Sequence, residues 1–194
     1  MAVPAAVAPR PLTVSSPFAG PTRLRVPDLL HATDQAADDV LGGRCDHLVP
    51  PGGVPDTERW FTRIHGDDEL DIWLISWVPG HATELHDHGG SLGALTVLSG
   101  SLNEFRWDGR RLRRRRLEAG DQAGFPLGWV HDVVWAPRSI AGATPATEPI
   151  QPTLSVHAYS PPLTAMSYYD VTEVTGQNRL RRRRTELTDR PEGS

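Results

Sequence analysis

The sequence predicts an all-β fold, a small antiparallel barrel or sandwich behind one short helix. Three observations lead there. Short β-branched or aromatic runs recur from residue 60 onward: WFTRI, DIWLISWV, LGALTVL, LNEFRW, VHDVVW and TLSVHAY. Gly, Pro, Asp or Ser bounds each of them. With 18 Gly and 18 Pro in 194 residues, the chain has turns enough for many short strands.

The elements follow in order. Residues 1–25 are Ala-, Pro-, Ser- and Val-rich without period and read as a flexible arm. Pro27 to Leu41 has apolar residues at helical spacing with Pro near its start, so a helix is expected, stopped by Gly42-Gly43. A Pro- and Gly-rich loop leads to the strands. Ser99-Gly100 and Asp108-Gly109 each read as a hairpin turn. The run RRLRRRR at 110–116 reads as a solvated edge strand, where charge also blocks edge pairing. The core domain is expected over 26–176, with 177–194 a polar, Arg-rich, solvated tail.

Composition bounds the function. The formal net charge is -4, and all 20 basic residues are Arg, so nothing draws the chain as a whole toward nucleic acid. No apolar run is long enough to span a bilayer, and no apolar h-region follows a basic start. A cytoplasmic, monomeric protein acting on a small molecule is expected, with neither nucleic acid nor membrane as partner. The only cysteine, Cys45, excludes a disulfide framework and a cysteine-based zinc site.

Two glycine-histidine motifs carry the chemistry. The first reads Gly80-x5-His86-x-His88-x4-Gly93-x6-Gly100, the second Gly120-x5-Pro126-x-Gly128-x2-His131. His86 and His88 are two apart, so on a strand both imidazoles leave from one face. With His131 they are candidate metal ligands. Imidazole suits Fe, Zn, Cu and Ni, so the ligands alone do not choose the metal. Ser155, His157 and Tyr159 alternate in the same way and would share a face. His31, His47 and His65 read as surface residues, and His81, next to Gly80, as a surface residue that could line the mouth of a pocket.

This pattern resembles the two motifs of the cupin superfamily, whose fold is a small jelly-roll β-barrel. Gly93 stands where most cupins have a metal-binding Glu, and Trp135 where the second motif usually ends in Asn. Within the superfamily, GHATELHDHGGS, SVHAYSPP and Tyr169-Asp170 look like the thiol dioxygenases, most of all cysteine dioxygenase, over roughly residues 57–170. The resemblance implies Fe(II) held by His86, His88 and His131, and oxidation of L-cysteine by O2 to cysteine sulfinic acid. It implies catalytic roles for Ser155, His157 and Tyr159, with Tyr159 also reaching the substrate. It places Arg63 on the substrate carboxylate, for which guanidinium has a matching planar fork. Phe61 stands where some relatives have Tyr. Ser160-Pro161 matches a cis peptide of the family. Gly93 is the bacterial choice where animal relatives have a Cys cross-linked to the Tyr. A dioxygenase of another small thiol carboxylate, such as 3-mercaptopropionate, and a non-catalytic ligand-binding cupin are the alternatives.

Overall fold

The computed structural model describes residues 22–137 and 151–191. The expected N-terminal arm therefore lies outside the described residues up to position 21, as do the last three residues of the expected tail. The chain opens with α1 (Val26–Leu41) and a short 3-10 turn at Asp46–Leu48. The strands then follow as β1 (Phe61–Gly66), β2 (Asp71–Trp77), β3 (His86–Asp87), β4 (Leu92–Ser99), β5 (Ser101–Trp107) and β6 (Leu112–Glu118). Five more complete the set: β7 (Gln122–Phe125), β8 (His131–Trp135), β9 (Thr153–Ser160), β10 (Ala165–Val174) and β11 (Gln177–Leu187).

These strands form two antiparallel sheets, in the order β1-β2-β9-β4-β7 and β11-β10-β3-β8-β5-β6. Trp73, Ile75, Trp77, Leu95, Val97, Phe125 and Tyr159 of the first sheet meet Leu102, Leu117 and Val133 of the second between them. The other face of the first sheet is also covered. Leu29, Ala36 and Ala37 of α1 pack on Ile72, Leu74, Ala94, Val156 and Ala158. That explains why DIWLISWV reads as a continuous apolar run rather than an alternating one: every residue of β2 is buried. The helix forms because Leu29, Thr33, Ala36 and Ala37 fall on one stripe and are its buried residues. Its first turn is closed by the Arg25 backbone N–H donating to Asp28 Oδ2 at 2.7 Å.

The all-β barrel with its helical segment stands as predicted, but two local expectations do not. Ser99-Gly100 is not a hairpin turn. It is a corner where the chain leaves one sheet for the other, since β4 and β5 belong to different sheets. Gly100 has φ +76, and a side chain there would run into Thr153. Asp108-Gly109 does close a hairpin, with Trp107 opposite Leu112. The second correction concerns residues 177–194. The polar segment is exposed as expected, but Gln177–Leu187 is an edge strand paired along β10 from Val174↔Gln177 to Ala165↔Leu187. The arginine run of β6 occupies the opposite edge of the same sheet, where the sequence puts it.

Candidate metal centre

The three motif histidines converge. His86 on β3 lies opposite His131 on β8, and His88 follows directly on β3. Each is buried, and each offers one ring nitrogen within 4.8 Å of the others. The donors that could face an ion are set by what the opposite nitrogens touch. His86 Nδ1 lies 2.9 Å from the carbonyl oxygen of Glu84, and His131 Nδ1 lies 3.2 Å from Glu104 Oε1. An acceptor at Nδ1 keeps the hydrogen there and leaves Nε2 its lone pair, which is the form a metal ion requires. The donor set therefore fits one metal ion bound by imidazoles alone.

Two backbone features shape that cluster. Glu84 takes φ +63, which turns its carbonyl toward His86, while its carboxylate pairs outward with Arg183 and Arg184 at 3.0 and 2.8 Å. Asp87 alternates away from the cluster and accepts from the Tyr169 hydroxyl at 2.6 Å and from Gly89 N at 3.0 Å. Neither acid joins the histidines.

The missing motif glutamate has a steric explanation. A methyl group at Gly93 would lie 2.9 Å from Phe125 Cδ2 and 3.4 Å from the Tyr159 ring. Phe125 fills that space, with its ring centroid 4.3 Å from that of His131. A glutamate at position 93 has no room beside it. The negative charge is instead one residue further out. Glu104 of β5 is fully buried and holds His131 Nδ1 on one oxygen. Trp129 Nε1 donates to that same oxygen at 3.2 Å, and Arg115 of β6 reaches the other at 2.8 Å. Burial opposes its ionisation, but the hydrogen bond from His131, the charge of Arg115 and the hydrogen bond from Trp129 prevail and lower its carboxyl to about 2. Sequence reading passes over Glu104 inside LNEFRW. Its signal is parity: Leu102 and Glu104 share a face, and Leu102 is core.

On the facing sheet the alternation of β9 holds. Ser155, His157 and Tyr159 are all buried. Tyr159 Oη is 3.2 Å from His157 Nδ1, and His157 Nε2 is 3.0 Å from Ser155 Oγ. The network continues one residue further than the sequence suggests, because Trp77 Nε1 donates to Ser155 Oγ at 2.8 Å. An indole nitrogen can only donate. Ser155 accepts it and keeps a hydrogen that can go to His157 Nε2. With that order His157 carries its hydrogen on Nδ1 toward the Tyr159 oxygen, and the Tyr159 hydroxyl hydrogen is left to donate elsewhere. The Tyr159 ring centroid is 5.0 Å from that of His88, so the network ends beside the histidine cluster.

Arg63 sits on β1, with its side chain 44% exposed. Its guanidinium lies over the Trp73 ring at 4.6 Å and its Nη2 donates to the Asp189 carbonyl at 3.3 Å. Its charge faces Asp71 Oδ1 at 3.5 Å. The β1–β2 turn closes on Asp67, whose Oδ1 accepts from Glu69 N and Leu70 N. Phe61 packs edge-on against Trp73, 5.9 Å between centroids. The Ser160-Pro161 peptide is cis. His31, His47 and His65 are exposed, as expected, and His81 is exposed as well.

Part of the chain is similar to known proteins. Residues 55–127 match the family model described as Cysteine dioxygenase type I. That stretch includes Arg63, His86 and His88 and ends before His131 and β9. Cysteine dioxygenase type 1 of Danio rerio is 26% identical over 109 residues, covering 54% of this chain and 52% of that protein. The chain thus spans about half the length of this curated relative. Among solved structures, a conserved double-stranded β-helix protein of Klebsiella pneumoniae is 22% identical, covering 60% of this chain and 85% of that one, with a TM-score of 0.43. KdgF from Halomonas sp. is 20% identical, covering 55% and 85%, with a TM-score of 0.42.

Proposed function

We propose that this chain, which is similar over part of its length to the cysteine dioxygenase family, is an Fe(II)-dependent thiol dioxygenase that oxidises L-cysteine with O2 to cysteine sulfinic acid. The observation that carries the reading is the meeting of the three-histidine cluster with the Ser155-His157-Tyr159 network across the barrel. A ligand-binding cupin has no need of that network beside its metal.

His86, His88 and His131 would hold the iron. When bound, it supplies open coordination positions where the substrate thiolate and O2 can meet, and it favours the thiolate form of the thiol. The protein residues do the rest. Glu104 keeps His131 in the tautomer that presents Nε2, and the Glu84 carbonyl does the same for His86. Tyr159, its oxygen held by His157, donates its hydroxyl hydrogen to the substrate or oxygen and orients it. Arg63 receives the substrate carboxylate on its guanidinium fork. Gly93 supplies no fourth protein ligand, and Phe125 occupies the space that such a side chain would need. No thioether to Tyr159 forms, because Gly93 has no sulfur and Cys45 sits beyond α1 at the 3-10 turn.

The test is O2 consumption and sulfinate formation with L-cysteine, cysteamine and 3-mercaptopropionate, each with and without added ferrous iron. The reading expects iron-dependent turnover with cysteine the best of the three. No O2 uptake with any of them in the iron-loaded protein defeats it. A better rate with 3-mercaptopropionate keeps the reaction class and changes the substrate.

A further inference from the structure

Asp71 is a carboxylate that the proposed chemistry leaves without a role. It opens β2, directly opposite Tyr159 on β9, and its side chain is 3% exposed. Oδ1 faces Arg63, the residue proposed to receive the substrate carboxylate. Oδ2 is buried and has no hydrogen-bond partner among the described residues. A buried carboxylate oxygen without a donor is costly in a merely structural ion pair. Arg63 and Asp71 are also crowded together on purpose of local sequence: a methyl group at Gly66 would lie 2.9 Å from Arg63 Cδ and 3.0 Å from Asp71 Oδ1. Glycine at this position is what lets the two side chains share the space.

We propose that Asp71 is a specificity-determining residue, which holds Arg63 in the ligand-free protein and takes up one proton when a ligand carboxylate replaces it on the arginine. This rests on the assignment of Arg63 above. Two ionised carboxylates against one guanidinium repel, and where one of the two is buried a proton on it relieves the repulsion. The surroundings decide which. Burial already holds the Asp71 carboxyl above its usual range, against the pull of Arg63. Asp189 of the C-terminal segment and Asp67 of the β1–β2 turn add repulsion, with His65 of β1 acting the other way. Tyr159 is its cross-strand neighbour on β9. Asp71 is therefore the group that protonates, and the orphaned oxygen gains a hydrogen to donate. Asp71 also sets what the pocket prefers. While ionised it cancels the charge of Arg63, and a carboxylate thiol gains on cysteamine only as Asp71 is neutralised.

The test uses the full chain with zinc in place of iron and propionate, a carboxylate without a thiol, as the probe. NMR follows the Asp71 side-chain carboxyl carbon and the Arg63 Nε–H during the titration. Propionate should move both, with the Asp71 carbon going to its protonated position. Above the Asp71 pKa the apparent Kd should weaken about tenfold per pH unit. Asp71→Asn should bind propionate more tightly at neutral pH and lose that slope. The proposal is overturned if propionate binds at Arg63 while Asp71 stays ionised, if it perturbs neither residue, or if Asp71→Asn keeps the wild-type slope. Absence of turnover with cysteine would defeat the dioxygenase reading without altering this titration.

Discussion

The two sheets solve the same problem differently. The sheet β1-β2-β9-β4-β7 is covered on both faces, by α1 outside and by the core inside. It carries the Trp77-Ser155-His157-Tyr159 network, which uses neutral groups that satisfy one another. The facing sheet carries the histidine cluster, and its outer strands are rich in arginine. Here a buried charge is tolerable because it has an exit: Glu104 binds His131 on one side and Arg115, 45% exposed, on the other. A neutral relay suits a doubly covered sheet. A charged support suits one whose edge reaches solvent.

The largest effects should come from the cluster itself. Replacing His86, His88 or His131 by Ala should abolish metal binding, read as metal per chain, and activity with it. Full metal content in any one of these variants breaks the three-ligand site. Tyr159→Phe probes the opposite sheet and should cost on the order of a hundredfold in kcat while metal content stays unchanged. Loss of metal there would erase the contrast between the sheets.

Arg63→Ala should raise KM for cysteine about tenfold to a hundredfold, because a charge-assisted pair is worth roughly 1.5–3 kcal/mol. Cysteamine, which has no carboxylate, should change far less.

Glu104→Gln sharpens the comparison from the other side. It should weaken metal affinity about tenfold to a hundredfold, measured by competition with a chelator. It should also change acid stability. The folded carboxyl titrates near 2, below its ordinary value of 4.5. A lowered pKa stabilises the fold fully above the ordinary value, and that contribution is lost as pH falls through the folded one. Metal-free wild type should therefore lose stability between about pH 4.5 and 2, and Glu104→Gln should lose less over that window. The smallest effect belongs to Arg114, exposed on β6. Its replacement by Ala should shift stability by less than about 0.5 kcal/mol and leave metal affinity untouched.

Much of this was legible in the residues. The six β-rich runs, the helix and the histidine spacing depend on local pattern, and local pattern is what a sequence displays. β3 was not legible, since a two-residue strand has no period to detect. β11 was hidden by its charge: RLRRRR lacks apolar alternation because it is an edge with solvent on both faces. Ser99-Gly100 looks like a hairpin because turn chemistry reports a change of direction and not which sheet comes next. Glu104 and Asp71 escaped because each lies within an apolar run, and its partner comes from another strand. Arg115 is eleven residues from Glu104, across a hairpin. Arg63 is eight residues from Asp71, across another.

The double covering of the first sheet reaches into the behaviour of the protein in time. β9 lies at its centre, between β2 and β4, beneath α1 and above the core. Its backbone amides have no route to solvent through local fraying. They should exchange with deuterium only when the whole domain opens, later than those of β11 at the exposed edge. The strand that orients Tyr159 is thus among the last to let go, after the arginine-rich edge of the facing sheet has opened.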